Sequence, residues 1–312
     1  MENIRVLFIG TPEFACPILQ TLYDEKYNLV AVVSQPDKPV GRKHIIEKTP
    51  IHALADELGI PVVQPNKLKE EYASVLAYEP DLIITCAYGQ MIPEEVLQYP
   101  KYGCLNIHPS LLPKYRGGAP VHRAVWAGDK ETGVCLMEMV KAMDAGKVYA
   151  KTIVPIAPND TTSSLNVKLE AVASQLLKEQ LPLYLKGELP GVEQDEEGVV
   201  IARNISKEEE QVHFSLESAQ EAYNHIRALL DWPVAYGMIE GKRIKFYESH
   251  LVLEENTFEP GFVVGLEEES LKIALRGGYL YVDVLQPEGK QKMAAKDFMN
   301  GAGRNLVGKV FA

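Results

Sequence analysis

Over residues 1–150 strand-like and helix-like segments alternate, and this alternation limits the fold more than any other feature of the chain. "IRVLFIG" (4–10) is a continuous apolar run closed by Gly10, the pattern of a strand buried on both faces. "TPEFACPILQTLYDE" follows, with Thr11 placed as an N-cap and Pro12 at the first helical position. "NLVAVVSQ" (28–35) reads as the second strand; a loop "PDKPVGRKHIIEKTP" then leads to a helix "IHALADELG" and a strand "IPVVQP". The helix "LKEEYASVLAYEP", the strand "DLIITCAY" (81–88), the short helix "PEEVLQYP" and the strand "GCLNIHPS" continue the series. "APVHRAVWAG" reads as a helix, and "GVCLMEMV" and "KVYAKTIVPI" as two more strands. Such a β-α-β series predicts an α/β fold with a doubly wound, mostly parallel, Rossmann-like sheet.

The texture changes in the second half. "TTSSLNVKLEAVASQLLKEQLPLYLKG" (161–187) is a long amphipathic helix, followed by the polar stretch "ELPGVEQDEEGVVIARNISKEEEQV". Beyond it, "GFVVGLEEESLKIALRGGYLYVDVLQPEGK" gives short, Gly-punctuated segments spaced like hairpins, the pattern of a small OB-like β-barrel. The expected organisation is a catalytic domain over 1–188, a linker over 189–206 and a C-terminal barrel over 207–312.

Composition narrows the functional classes. A chain of 312 residues with 46% hydrophobic and 24% charged residues is that of a globular protein. No apolar run approaches the roughly 18 residues that span a bilayer, and the N-terminus lacks a secretion signal. Cys16, Cys86, Cys104 and Cys135 form no C-x-x-C pair, so buried thiols in a reducing cytoplasm are expected, with no metal and no membrane. The net charge of −11 argues against gripping nucleic acid over the whole surface, while leaving room for a local basic patch.

In an open parallel sheet, ligands bind at the carboxyl ends of the strands. Asn106 and His108 close the strand "CLNIH", and their spacing of two puts both side chains on one face. Asp144 lies in the turn "VKAMDAGKV" between two later strands. An amide, an imidazole and a carboxylate point to acyl transfer without a covalent intermediate: amide and imidazolium N–H groups stabilise an oxyanion, and the carboxylate takes a proton from an attacking amine. Each residue also has a plain reading. A strand His satisfies a backbone group, Asp before Ala-Gly makes a turn, and Asn pins a loop. Neither G-x-G-x-x-G nor G-x-S-x-G is present, which disfavours a nucleotide-dependent oxidoreductase and a serine hydrolase.

"GCLNIHPSLLPKYRGGAP" (103–120) closely resembles the motif of the formyltransferases that use 10-formyltetrahydrofolate. The resemblance puts Asn106, His108 and Asp144 where that superfamily has its catalytic Asn, His and Asp. The chain departs from the pattern at Pro109, where some members have Gly. "FIGTPEFA", the loop "SQPDKPVGRKHIIEKTP" and the C-terminal "DWP" and "QPEGKQKMAAKDFMNG" are similar to the methionyl-tRNA branch. The implied reaction moves a formyl group from 10-formyltetrahydrofolate to the α-amino group of methionyl-initiator tRNA. Asn106 would hold the formyl oxygen, His108 would stabilise the oxyanion, and Asp144 would set the charge of His108 and relay the amine proton. Ser110, Leu111, Leu112 and Pro113, with Tyr88, Gly89, Gln90 and Ile92, would line the folate site, and Phe14 the methionine pocket. Arg42, Lys43, Lys207, Lys290, Lys292 and Arg304 would meet tRNA, and the enzyme would be a cytoplasmic monomer. The rival readings are a folate-dependent formyltransferase acting on an amino sugar nucleotide, which would share the three catalytic residues, and a non-catalytic RNA-binding protein.

Overall fold

The computed structural model describes residues 3–40 and 45–312; Arg42 and Lys43 lie outside the described residues. The chain divides into two compact units. The first comprises Met1–Pro120, Glu131–Pro155 and Asn166–Arg203; the second comprises Val121–Lys130, Ile156–Leu165 and Asn204–Ala312.

The strands of the first unit are β1 (Arg5–Gly10), β2 (Asn28–Val33), β3 (Lys38–Val40), β4 (Ile45–Glu47), β5 (Val62–Val63), β6 (Leu82–Cys86), β7 (Cys104–His108), β8 (Lys114–Arg116), β9 (Glu131–Glu138), β10 (Val148–Pro155) and β11 (Val200–Ile201). Seven of them form one sheet in the order β10-β9-β7-β6-β1-β2-β5. The five strands from β5 to β7 run parallel, while β9 and β10 are antiparallel additions. The chain steps from β1 outward to β2 and then returns to β6 on the other side, so the order reverses at β1 and β6, as in doubly wound sheets.

The apolar run of β1 is buried on both faces. Leu7 and Ile9 share a cluster with Ala31, Val33 and Ile83, covered by Leu68 and Val75 of a helix over Leu68–Leu76. Val6 and Phe8 alternate to the opposite face and are equally buried. Each such side chain contributes about 1.5–3 kcal/mol on burial, which fixes the register of the central strands. The stretch expected as a linker carries β11, which pairs parallel with β8, and Ala202 N–H donates to Arg116 O at 2.7 Å. Among the described residues no helix is long and apolar enough to cross a membrane.

The second unit holds β12 (Tyr236–Ile239), β13 (Lys242–Val252), β14 (Phe262–Glu267), β15 (Ser270–Leu275), β16 (Gly278–Pro287) and β17 (Met293–Ala294) in one antiparallel sheet, ordered β12-β13-β16-β15-β14 with β17 on β16. Register shifts around Glu248 bend the long β13, and the sheet curls as an OB-like half-barrel. Its core centres on Phe214, Phe246 and Phe311, whose rings meet edge to face at centroid distances of 5.4–5.8 Å.

A polar stack flanks that core. The Arg123 guanidinium donates to both Glu209 carboxylate oxygens at 2.7 and 3.0 Å and lies over the Trp126 ring, and Trp126 stacks on His225 at 3.9 Å. The hydrogen bonds from Arg123 hold the Glu209 carboxyl down from 4.5 to about 2. A depressed carboxylate stabilises the fold above its unfolded value, and that stabilisation is lost as pH falls through the folded one. Glu209→Gln is therefore expected to flatten the pH dependence of melting between roughly pH 5 and pH 2, checked by thermal melts across that window.

Candidate active site

The site begins with β7. Asn106 and His108 leave the same face of this strand, Asn106 half-buried and His108 only 4% exposed. Thr85 of β6 stands opposite Asn106 and donates its hydroxyl to Asn106 Oδ1 at 2.9 Å. With the carbonyl end accepting, the amide nitrogen is the end presented outward. Among the described residues it has no hydrogen-bond partner, so Asn106 offers an N–H₂ donor at the sheet's rim.

The imidazole of His108 is held by its far nitrogen: Nε2 donates to Tyr115 O at 3.0 Å. Nδ1 faces Asp144 Oδ2 at 3.8 Å, an ion-pair distance longer than a hydrogen bond. Nδ1 is thus the ring nitrogen that faces the Asp144 carboxylate. The structure brings together His108 and Asp144, which are 36 positions apart in sequence, Asp144 lying in the turn that joins the antiparallel β9 and β10.

Asp144 sits in a constrained turn. Its φ is +49°, a left-handed conformation that Asp tolerates better than most residues. Gly117 N–H donates to Asp144 Oδ2 at 2.8 Å, while Oδ1 has no partner among the described residues. Gly117 itself has φ +127°, and a Cβ there would stand 2.5 Å from Ala202 O, so the motif needs glycine at this position. Arg116, the residue before Gly117, is 6% exposed, donating to Gln194 Oε1 at 3.0 Å and to Glu196 at 2.8 and 3.3 Å.

The remaining expected site residues fall in four places. Ser110 is fully buried and gives its hydroxyl to Lys114 O at 2.7 Å; Leu112 packs with Cys135 and Met137; Leu111 lies against Gly133, and Pro113 against Gly198. The side chains of Ser110 and Leu112 are therefore committed inward. The loop after β6 is pinned by polar bonds: Tyr88 O accepts from Thr11 and Gln35, and Gln90 bridges Gln35 and Leu68 N–H. The Tyr88 hydroxyl is buried with no partner among the described residues, and Ile92 packs on the core of the first unit. Phe14 is half-buried just beyond β1. Lys207, Lys290, Lys292 and Arg304 are exposed in the second unit. Sequence reasoning missed Thr85 and Gln194, both remote in sequence from what they hold. In the second unit Arg243 and Lys245 line a depression of about 280 Å³ with Gln286, Pro287, Glu288 and Gly289.

Residues 2–181 match the Formyl transferase family, and residues 204–303 match the Formyl transferase C-terminal domain. The chain belongs to the formyl transferase family. This formyl transferase is 44% identical over 303 residues to a protein of Bacillus cytotoxicus named methionyl-tRNA formyltransferase, covering 96% of each chain. It is 43% identical over 311 residues to the protein of that name from Halalkalibacterium halodurans, covering 98% of each. HypX from Aquifex aeolicus, solved in complex with tetrahydrofolic acid, shares the fold, with a TM-score of 0.68 at 21% identity, covering 98% of this formyl transferase and 48% of HypX.

Proposed function

We propose that this formyl transferase moves the formyl group of 10-formyltetrahydrofolate onto the α-amino group of methionine esterified to initiator tRNA. The observation that carries the reading is likeness along the whole length: relatives named methionyl-tRNA formyltransferase match both the catalytic unit and the C-terminal unit at 43–44% identity.

The residues present fit a folate donor. A formyl oxygen needs N–H donors, and the outward amide of Asn106 supplies them. The pinned loop 87–92 offers backbone groups at the end of β6, and the Tyr88 hydroxyl is a buried polar atom lacking a partner among the described residues. Bound folate supplies the activated formyl carbon; the chain supplies charge and orientation.

As the amine nitrogen bonds to the formyl carbon, negative charge develops on the formyl oxygen. Asn106 Nδ2–H and the Nδ1–H of a protonated His108 meet that charge. Asp144, held by Gly117 through Oδ2, presents Oδ1 to accept the amine proton directly or through water. The bond from carbon to N10 then breaks, N10 takes a proton, and tetrahydrofolate and formylmethionyl-tRNA leave.

For tRNA, the exposed Lys207, Lys290, Lys292 and Arg304, joined by Arg243 and Lys245, offer phosphate contacts on a unit whose acidic residues outnumber its basic ones. Binding is expected to weaken steeply with salt, by a log–log slope of about −0.9 per phosphate neutralised. Purified protein incubated with 10-formyltetrahydrofolate should formylate charged initiator tRNA and leave an amino sugar nucleotide untouched. Equal or faster transfer to the sugar would overturn the substrate assignment, and a flat salt response would overturn the phosphate contacts.

A further inference from the structure

The turn that carries Asp144 is gripped from behind by a residue 50 positions away. Gln194 Nε2 donates to Asp144 O at 2.8 Å and to Gly146 O at 2.7 Å, using both of its N–H bonds on the two sides of that turn. Gln194 Oε1 accepts from Arg116 Nε at 3.0 Å. The amide can be satisfied in only one orientation. Flipped, it would set N–H₂ against the Arg116 donor and its oxygen against two carbonyls. The grip is therefore directional, with every hydrogen-bonding group of the side chain committed.

The holder is itself held. Arg116 is buried, braced by Glu196, and ends β8, whose partner β11 lies a few residues beyond Gln194. The residue after Arg116 is Gly117, whose N–H holds the Asp144 carboxylate. The contacts close a ring. Arg116 fixes Gln194, Gln194 fixes the backbone of residues 144–146, and Gly117 fixes the carboxylate that this backbone carries. Among the described residues no other side chain ties the carbonyls of Asp144 and Gly146 together.

We propose that Gln194 is a positioning residue for formyl transfer, holding the Asp144 turn so that the Asp144 carboxylate stays beside His108. The proposal rests on the reading of Asp144 as the group that accepts the amine proton. Gln194 touches no substrate; it acts through the backbone of Asp144. The segment expected to be a passive connection between domains is then part of the catalytic apparatus.

The test is a set of variants assayed for formylation of methionyl-tRNA, with thermal melts alongside. Gln194→Met keeps the bulk of the side chain and removes all three hydrogen bonds. It is expected to lower kcat by about 10- to 100-fold, with KM for tRNA and for the formyl donor within about twofold, because a displaced carboxylate harms the transition state more than ground-state binding. Gln194→Glu can still accept from Arg116 but turns an oxygen on the two carbonyls; it should show the same loss, and it carries the test if the Met variant is too unstable to assay. The deciding measurement is the double variant with Asp144→Asn. If Gln194 works through Asp144, adding Gln194→Met to Asp144→Asn lowers the rate no further. Multiplied losses, or a parental kcat in both Gln194 variants while Asp144→Asn is slow, would overturn this inference and leave the proposed reaction standing. A parental rate in Asp144→Asn would instead overturn the role of Asp144, and this inference with it.

Discussion

His108→Ala is expected to lower kcat/KM for formyl transfer by about 10³- to 10⁴-fold while tRNA affinity stays within about twofold. In the proposed mechanism the imidazole is one of the two oxyanion donors, and its Nδ1 is the nitrogen facing Asp144 at 3.8 Å. Removing it takes away that donor and the ring beside the Asp144 carboxylate, so two contributions fail together. It also leaves Tyr115 O without this donor, a cost of about 1–3 kcal/mol for a buried acceptor, so thermal melts must accompany the kinetics. The cations proposed to meet tRNA belong to the second unit and His108 to the first, which is why binding and rate should separate. Single-turnover rates and filter binding at one fixed salt concentration check both halves. A variant that transfers formyl groups at the parental rate would remove the proposed mechanism.

Gly146→Ala is expected to be nearly as damaging, for a steric reason. A Cβ on Gly146 would stand 2.1 Å from Glu138 O and 2.9 Å from Glu138 C, backbone atoms that cannot swing aside. Glu138 is also tied to the returning strand by its N–H on Lys147 O at 2.8 Å, so the ends of β9 and β10 must part to admit a methyl group. Overpacking of this kind costs about 3 kcal/mol and should lower Tm by roughly 6–12 °C. The larger consequence is for the reaction. Asp144 lies two residues earlier in the same turn, and Gly146 O is one of the two acceptors of Gln194. A displacement of about 1 Å at Asp144 should reduce the rate by about 10²-fold even at temperatures where the variant is folded. Melting curves, and rates measured well below the new Tm, separate the two effects.

Much of this is legible in the sequence because the strong signals are local. The short apolar runs of residues 6–9 and 82–84 read as strands covered on both sides, and they lie in β1 and β6 at the centre of the sheet. The spacing of Asn106 and His108 is enough to fix their common face, because side chains two apart on a strand project to the same side. What stays hidden is polar and long-range. Thr85 orients the Asn106 amide across 21 residues, Gly117 reaches Asp144 across 27, and Gln194 reaches it across 50. None of these pairs leaves a periodicity, since a single hydrogen bond between distant segments depends on how the sheet is wound and not on the residues beside it. The Glu- and Gly-rich texture of residues 189–206 resembles a solvated connection for the same reason. The pairing of β11 with β8, with the bonds of Gln194 and Glu196, shows that it is laid against the first unit. The imidazole's tether has no signal either: a strand-end position puts His108 at the rim, but nothing local tells that Nε2 is committed to Tyr115 O, leaving Nδ1 to face Asp144.

The stack of Arg123, Trp126 and His225 has an optical consequence. The sequence contains two tryptophans, Trp126 and Trp232, and both belong to the second unit. One is pressed against an imidazole at 3.9 Å and the other is 69% exposed, so their emission differs in colour and in quenching by the neighbouring ring. Intrinsic tryptophan fluorescence therefore comes from the second unit alone. The protein carries a built-in dye on one of its halves, through which ligand capture by that half can be followed without labelling.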